Sequence, residues 1–308
     1  MDTAGRDAAG PAEAASERQE RAGRQRAWRG PWHPGTHLAL LHAGPGLTVV
    51  VVGLAFGVVA GRHDPDPGRL GLLALLVAGN QYSAGALNDA VDAPADAAAG
   101  RDKPIPGGAI SRRTAVALAV AAGLVSLVCG ALLGPATLAL AVAGLACAWG
   151  YDLWLKGTVA SVLPFALALP LVPLFGYAAA GRFPAVLWWA WPIGALAAVA
   201  VHLADSLPDV ESDRLAGVHG LAPRLGVRRA AGLVVASYTA TLALAAGSGL
   251  AAGDRPVVLA GAATSLVLAV AALAAGARGR PDDRRAAYRL LLAAVIALAV
   301  GWAAGVRP

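Results

Sequence analysis

The sequence has few charged residues and very few cysteines or lysines. Charged side chains make up only 14% of its 308 residues, while 57% are hydrophobic and the mean hydropathy is +0.60. Soluble domains carry about 25% charged residues, so this composition excludes an ordinary soluble protein. The two cysteines, Cys129 and Cys147, both lie in apolar segments. They are interpreted as small core residues, and neither a disulfide framework nor a cysteine metal site is indicated.

Long apolar segments dominate the rest of the chain. Nine of them approach the length of about 20 residues that an α-helix needs to cross a bilayer. Their approximate ranges are 37–60, 70–90, 113–133, 135–150, 158–180, 184–206, 228–248, 255–276 and 287–305. We therefore predict an all-α, polytopic membrane helical bundle over residues 37–308, with a short fourth span. Residues 1–36, which are rich in Arg, Glu and Ala, are predicted to form a disordered, basic, cytoplasmic tail.

The positions of the 25 basic residues predict which ends of the spans face the cytoplasm. With a cytoplasmic amino terminus, 20 of them fall on the cytoplasmic side; the five on the other side are Arg62, Arg69, Arg182, Arg255 and Arg307. Cytoplasmic loops of membrane proteins carry an excess of Lys and Arg. The net charge of +6 is therefore explained by topology and contact with anionic lipid, and no nucleic-acid partner is predicted. The protein is expected in the cell (plasma) membrane.

Acidic residues concentrate in the loops after the second, fourth and sixth spans, all on the predicted cytoplasmic side. Two sets repeat one four-residue spacing, each interrupted by a proline: Asn88, Asp92 and Asp96 around Pro94, and Asp205, Asp209 and Asp213 around Pro208. Residues four apart share a helical face, but an interior proline disrupts a helix. We therefore expect Asn88 and Asp92 to end the second helix, with Asp96 reached across a kink or loop.

The acidic spacing and the rare lysines together favour a magnesium–diphosphate site. Neighbouring carboxylates repel one another unless a cation lies between them, and Mg²⁺ commonly binds one or two carboxylates together with substrate phosphates. The only two lysines, Lys103 and Lys156, both lie in the acid-bearing loops. Lysine binds phosphate as a compact positive charge, so their positions indicate an anionic ligand.

These motifs resemble those of the UbiA superfamily of intramembrane prenyltransferases. NDAVDAPAD (88–96) is similar to the family motif N-D-x-x-D-x-x-x-D, and RDKPIPGGAIS follows where the family commonly has R-P-I/L-P-x-G. DSLPDVESDRLAGVHGLAPRLG resembles the second motif, and YDLWLKGT (151–158) resembles the Tyr…Lys segment after the fourth helix. The resemblance covers about residues 38–305. It implies nine transmembrane helices around a central cavity, capped by cytoplasmic loops and opening sideways to lipid.

The resemblance also implies an activity, which is Mg²⁺-dependent transfer of an isoprenyl group from its diphosphate to an aromatic (quinone-precursor-like) or lipid acceptor. The metal ligands that it implies are Asn88, Asp92, Asp96, Asp205, Asp209 and Asp213. Contacts to the diphosphate are expected from Asn88, Arg101, Lys103 and Lys156. The residues implied in catalysis are Asp92, Asp209, Tyr151 and Lys156. Ionisation to an allylic cation, followed by attack of the acceptor, is the implied mechanism.

The sequence departs from the family pattern at two positions and leaves three other functions open. Lys103 stands where the family usually has Arg, and His42 lies about where the first helix often has Arg. The other hypotheses are a UbiA-type terpene cyclase that needs no acceptor, a transferase that couples a polyprenyl phosphate to a sugar phosphate, and a cation-coupled membrane transporter.

Three further features receive an interpretation from the sequence. Asn80, Gln81 and Ser83 are costly to place in lipid and are expected to face the cavity. They could recognise an acceptor or bond only to neighbouring helices. His202, three residues before Asp205, is interpreted as a structural hydrogen-bond donor. The segment RRAAYRL (284–290) is interpreted as a positive-inside anchor.

Overall fold

The computed structural model describes residues 32–40, 43–62, 64–215, 217 and 220–306. Within them the chain is helical apart from turns, loops and one isolated bridge between Gly253 and Val306. The α-helices are α1 Pro34–Leu40, α2 Ala43–Gly61, α3 Pro67–Ala98, α4 Arg112–Leu133, α5 Pro135–Gly150, α6 Val162–Ala168, α7 Leu171–Ala179, α8 Ala190–Ser206, α9 Val210–Leu215, α10 Leu221–Leu225, α11 Val227–Ala252, α12 Arg255–Gly276 and α13 Pro281–Gly305. The predicted all-α fold class is confirmed.

Nine helical stretches in the described residues are long and apolar enough to cross a membrane. Each overlaps one of the predicted spans, and the chain is accordingly a multi-pass membrane protein. The fifth stretch combines α6 and α7, which are separated at Leu169–Pro170. The fourth is longer than predicted, because a π-helical turn, Tyr151–Leu155, extends α5 to a stretch of 21 residues.

The end of α3 differs from the prediction. We expected Asp92 to end this helix, but α3 continues through Pro94 to Ala98, so that prediction is wrong. A proline removes one helical hydrogen bond, and ion pairs on both sides of Pro94, from Lys156 to Asp92 and from Lys103 to Asp96, hold the last turns of the helix in place. All three residues of the first motif therefore project from one continuous helix.

The amino-terminal boundary also differs from the prediction. Helix α1 begins at Pro34, inside the segment predicted as a tail. Residues 1–31 lie outside the described residues, as does His42, so the tail and the place of His42 stay predictions.

The half of the bundle farther from the acidic motifs is tightly packed. Buried Phe56, Leu73, Leu76 and Trp302 belong to the largest hydrophobic cluster there. At the start of α3, the Arg69 guanidinium donates to backbone carbonyls at the ends of α4 and α7, which satisfies groups that helix termini leave unpaired. This packing joins α2, α3, α4, α7 and α13 at the end of the bundle away from the acidic motifs.

Candidate active site

A glycine-terminated cap holds the first acidic motif at the carboxyl end of α3. Gly100 has a φ of 63°, in the left-handed region that glycine adopts readily. The Arg101 N–H then donates to the Asp96 carbonyl at 2.9 Å, and the Gly100 N–H to the Ala97 carbonyl at 3.1 Å, which is the Schellman pattern. This turn brings the Arg101 guanidinium back to Asp96, with 3.0 Å between Nη1 and Oδ1.

Lys103 pairs with two buried carboxylates in this segment. Its Nζ lies 2.8 Å from Asp89 Oδ1 and 2.9 Å from Asp96 Oδ2, and those side chains are only 3% and 1% exposed. Burial alone would lower the pKa of Lys103, but hydrogen bonds and the charges of Asp89 and Asp96 outweigh it and raise the pKa above the ordinary 10.5. Lys103 is therefore a cation at neutral pH.

The other lysine reaches the motif from the π-helical turn after α5. The Lys156 N–H donates to the Tyr151 carbonyl five residues earlier, at 2.8 Å, and such π-turns are frequent at functional sites. The Lys156 ammonium pairs with Asp92 and lies 5.9 Å from the centroid of the Tyr151 ring. Asn88 Nδ2 donates to Asp152 Oδ1 at 2.8 Å. The segment after α5 is thus bound to α3 by two polar contacts.

The second acidic motif lies where α8 ends and α9 begins. Asp205 is in the last turn of α8, and the Asp213 N–H donates to the Asp209 carbonyl at 2.8 Å. Burial, and then the charge of Asp209, raise the pKa of Asp213, and the charge of Arg101 opposes them. Since Arg101 also pairs with Asp96, its positive charge acts on both motifs.

The two motifs also meet at Tyr151. The charges of Asp152, of Asp92 in the first motif and of Asp205 in the second all act on the Tyr151 hydroxyl. Asp92 lies on α3, Asp152 lies in the turn directly after α5, and Asp205 lies on α8. The structure therefore gathers three distant segments at one place. From hydropathy and charge, the sequence predicted that the acidic loops lie on one face; the binding roles of these residues stay predictions.

Aromatic rings extend from Tyr151 towards α8. Phe165 packs edge-on against Tyr151, with ring centroids 5.0 Å apart, and the His202 ring lies 4.6 Å from Phe165. His202 Nε2 and Ser161 Oγ are 3.2 Å apart, within hydrogen-bond distance. These contacts agree with the structural interpretation of His202, and they place Phe165 beside the meeting point of the motifs.

A cavity of about 420 Å³ opens at this cluster. Its polar end is formed by Asn88, Tyr151 and Asp152, and its apolar walls include Val77, Val172 and Phe175. Asn80 and Gln81 line it as expected. Ser83 differs, because it is buried and accepts a hydrogen bond from Trp149 Nε1 at 3.0 Å. The space therefore joins a charged mouth to a hydrocarbon-like interior.

The side chains of the two acidic motifs fit magnesium only in combination with a ligand that brings more oxygens. Within the described part of the chain, no group of three or more His, Cys, Asp or Glu side chains is arranged to hold a metal ion. Magnesium normally takes one or two protein carboxylates and completes its shell with phosphate oxygens and water. The side-chain ligands available here, Asn88 and the aspartates of both motifs, offer the hard oxygens that it prefers. The six predicted metal ligands stay a prediction.

Several residues belong to the site without having been assigned to it from the sequence. Asp89 and Asp152 are held by Lys103 and Asn88, respectively. Their positions in the sequence could have indicated them, since Asp89 is adjacent to Asn88 in the motif and Asp152 follows Tyr151. Arg285, in the segment interpreted as an anchor, lies 3.5 Å from Asp209, and no spacing rule indicated that contact.

The sequence is similar to that of known membrane enzymes. The sequence matches the profile of the UbiA prenyltransferase family over residues 48–305. It is 32% identical to the digeranylgeranylglyceryl phosphate synthase of Natronomonas pharaonis over 200 residues, which is 62% of this chain and 71% of that protein.

Solved structures show the same fold. The apo UbiA homologue from Aeropyrum pernix K1 aligns with a TM-score of 0.66 at 21% identity, covering 83% of this chain and 96% of that one. The UbiA homologue from Archaeoglobus fulgidus, bound to GPP and Mg²⁺, aligns with a TM-score of 0.66 at 18% identity, covering 86% and 99%.

Proposed function

The chain belongs to the UbiA prenyltransferase family, and from that premise we propose that it transfers an isoprenyl group from its diphosphate to a lipid acceptor carrying a glyceryl phosphate. Membership confirms the predicted enzyme class. The observation that carries the proposal is the cavity, whose interior is apolar and whose polar end is formed by Asn88, Tyr151 and Asp152. The lysine–carboxylate pairs lie on the same two segments, because Asp89 and Asp92 follow Asn88 on α3 and Lys156 follows the turn that begins at Tyr151. A diphosphate head with a hydrocarbon tail has the same division of polarity.

Lys103 and Lys156 are proposed to bind the diphosphate. Each ammonium now pairs with carboxylates of the first motif, so binding requires it to exchange or share those oxygens with phosphate oxygens. The oxygen ligands of the two acidic motifs and the GPP- and Mg²⁺-bound homologue support magnesium as the metal. Magnesium would supply charge neutralisation that makes diphosphate a better leaving group. The proposed ligands remain Asn88, Asp92, Asp96, Asp205, Asp209 and Asp213.

The chemistry proposed at the mouth is a substitution at the first carbon of the isoprenyl chain. The allylic carbon–oxygen bond breaks, both electrons leave with the diphosphate, and the acceptor oxygen bonds to that carbon and releases its proton. Tyr151 and Phe165 line the cavity beside Asn88, where aromatic faces can stabilise an allylic cation. Lys156, next to the Tyr151 ring, would stay with the departing diphosphate.

The acceptor and orientation are parts of the same proposal. The Natronomonas pharaonis relative is named for digeranylgeranylglyceryl phosphate, which favours a lipid over an aromatic acceptor. The 20-to-5 division of basic residues supports cytoplasmic acidic loops in the cell membrane. The donor and acceptor would then share one membrane, with their phosphates at its cytoplasmic face.

The function can be tested with purified protein in lipid nanodiscs. Geranyl, farnesyl and geranylgeranyl diphosphates are supplied with and without magnesium, and with geranylgeranylglyceryl phosphate, 4-hydroxybenzoate or no acceptor. We expect diphosphate release that requires both magnesium and the glyceryl phosphate lipid, with an ether-linked product identified by mass. A prenylated hydroxybenzoate would revise the acceptor. Cyclic hydrocarbon formed without an acceptor would establish a cyclase. Absence of diphosphate release under every condition would contradict both the prenyl transfer and the cyclase activity.

Gly144 offers a test of where the isoprenyl chain lies. It is seven residues before Tyr151, or about 10 Å deeper along the helix, and a Cβ there would lie 3.0 Å from Asn80 Nδ2. Gly144→Leu must therefore fill the cavity or displace Asn80. We expect kcat/KM to fall about ten- to hundredfold, since a change of one methylene in the fit of a hydrophobic pocket is worth about 1–3 kcal/mol in kcat/KM, and to fall more for geranylgeranyl than for geranyl diphosphate.

The control for this substitution is Gly247→Leu on α11, where a Cβ meets nothing within 4 Å. This variant should keep kcat/KM near the wild-type value for both geranyl and geranylgeranyl diphosphate. Equal losses for the short and the long donor in Gly144→Leu would place the chain outside this part of the cavity.

A further inference from the structure

The first turns of α13 dock onto the second acidic motif. Only 14% of the Arg284 side chain is exposed, and its Nη1 lies 3.2 Å from the Leu207 carbonyl oxygen and 3.4 Å from Glu211 Oε2. The adjacent Arg285 reaches Asp209 at 3.5 Å. These arginines contact the protein's own acidic loop, which is a more specific role than the positive-inside anchor predicted for RRAAYRL.

The backbone contact of Arg284 lies at the end of α8, between two carboxylates of the second acidic motif. Leu207 caps the carboxyl end of α8 and lies midway between Asp205 and Asp209. Its carbonyl belongs to the helix-terminal groups that have no partner inside the helix. A guanidinium on that carbonyl therefore fixes the turn that sets the relative positions of the two carboxylates. Glu211, on the far side of Asp209, is held by the same guanidinium.

We propose that Arg284 is a positioning residue for the second acidic motif. The proposal rests on the function above, in which Asp205, Asp209 and Asp213 bind magnesium with the diphosphate. Magnesium demands near-ideal octahedral geometry, so a turn free to shift would weaken metal binding without removing any ligand. The planar guanidinium can reach two acceptors in fixed geometry, whereas a lysine ammonium is a single point charge.

The first test is the magnesium dependence of Arg284→Gln. We expect the magnesium concentration for half-maximal diphosphate release to rise about tenfold, consistent with loss of one charge-assisted hydrogen bond. The rate at saturating magnesium should stay within about threefold of wild type, since every ligand remains. Arg284→Lys should need a magnesium concentration between those of the wild type and Arg284→Gln. Arg280→Gln, at an exposed arginine just before α13, is the matched control and should titrate like wild type.

A second readout does not depend on turnover. Amide hydrogen exchange over residues 206–215 is measured with geranyl diphosphate and increasing magnesium, in the absence of an acceptor. We expect exchange to slow in wild type and Arg280→Gln, and Arg284→Gln to need about tenfold more magnesium for the same protection. Identical titrations in wild type and Arg284→Gln would overturn the positioning role.

The two readouts separate this inference from the proposed function. Absence of magnesium-dependent protection in the wild-type protein would overturn the proposed function, and the positioning role with it. Protection in the wild type that Arg284→Gln reproduces overturns the positioning role alone. Should Arg284→Gln fail to fold, Arg284→Lys carries the test, and a wild-type magnesium titration of that variant would count against the proposal.

Discussion

Replacing Asp92 with asparagine is expected to reduce diphosphate release about a thousandfold, because metal-assisted charge stabilisation contributes several kcal/mol to such reactions. Asp92 is the first-motif carboxylate that pairs with Lys156, and its charge acts on Tyr151. Asparagine keeps the size of the side chain but removes the charge that would hold a cation. The loss should appear in turnover under saturating donor, since the apolar walls of the cavity are unchanged.

The matched control is Asp102→Asn, at an exposed carboxylate in the loop after α3, which should retain near wild-type turnover. Magnesium titration of both variants separates weaker metal binding from slower chemistry. If Asp92→Asn kept more than about a tenth of wild-type turnover, less than 1.4 kcal/mol of the barrier would depend on this charge. Asp92 would then have no place in the metal site.

The spans were predictable because hydropathy is a local property of the chain. Each of the nine helical stretches overlaps a predicted apolar segment. Hydropathy and the positions of the basic residues together predicted that both acidic motifs lie on one side of the membrane. The local rule failed at Pro94, where a proline was expected to end the helix. Ion pairs from Lys103, in the loop that follows, and from Lys156, which is 64 residues from Asp92, support the last turns of α3. The rule that a proline ends a helix takes no account of such ion pairs.

The partners of the charged side chains were harder to predict than the site itself. Asp92 and Lys156 are 64 residues apart, and Arg284 and the Leu207 carbonyl are 77 apart. Such contacts depend on how helices pack, which motif spacing does not encode. The resemblance assigned both lysines to the diphosphate, whereas the structure shows them on carboxylates. The two assignments are compatible if the ammonium groups change partners when the donor binds.

Replacing Lys103 with methionine is expected to destabilise the protein by about 3 kcal/mol, the lower end of the cost of breaking a buried ion pair from one side. Asp89 and Asp96 would stay buried and lose the ammonium that lies within 3 Å of each. We expect the loss of stability to lie at the lower end of the range for a broken buried ion pair, because Arg101 still pairs with Asp96. Lys103→Arg keeps the charge and should cost about 1 kcal/mol or less.

The pH dependence gives this prediction a distinctive form. The folded-state pKa of Lys103 is raised above 10.5, so its contribution is fully present below the unfolded-state pKa and is lost only as the pH rises through the raised value. Titration of Lys103 therefore leaves its own contribution unchanged between about pH 6 and about pH 9. In urea unfolding in detergent micelles, the free energy of unfolding lost in Lys103→Met should be no smaller at about pH 9 than at about pH 6, because the two buried carboxylates are most costly when ionised. Arg112→Met, at an exposed arginine that begins α4, controls for loss of a basic side chain. A Lys103→Met protein as stable as that control would show that the carboxylates do not depend on Lys103, and the ammonium would then be held near them for the diphosphate alone.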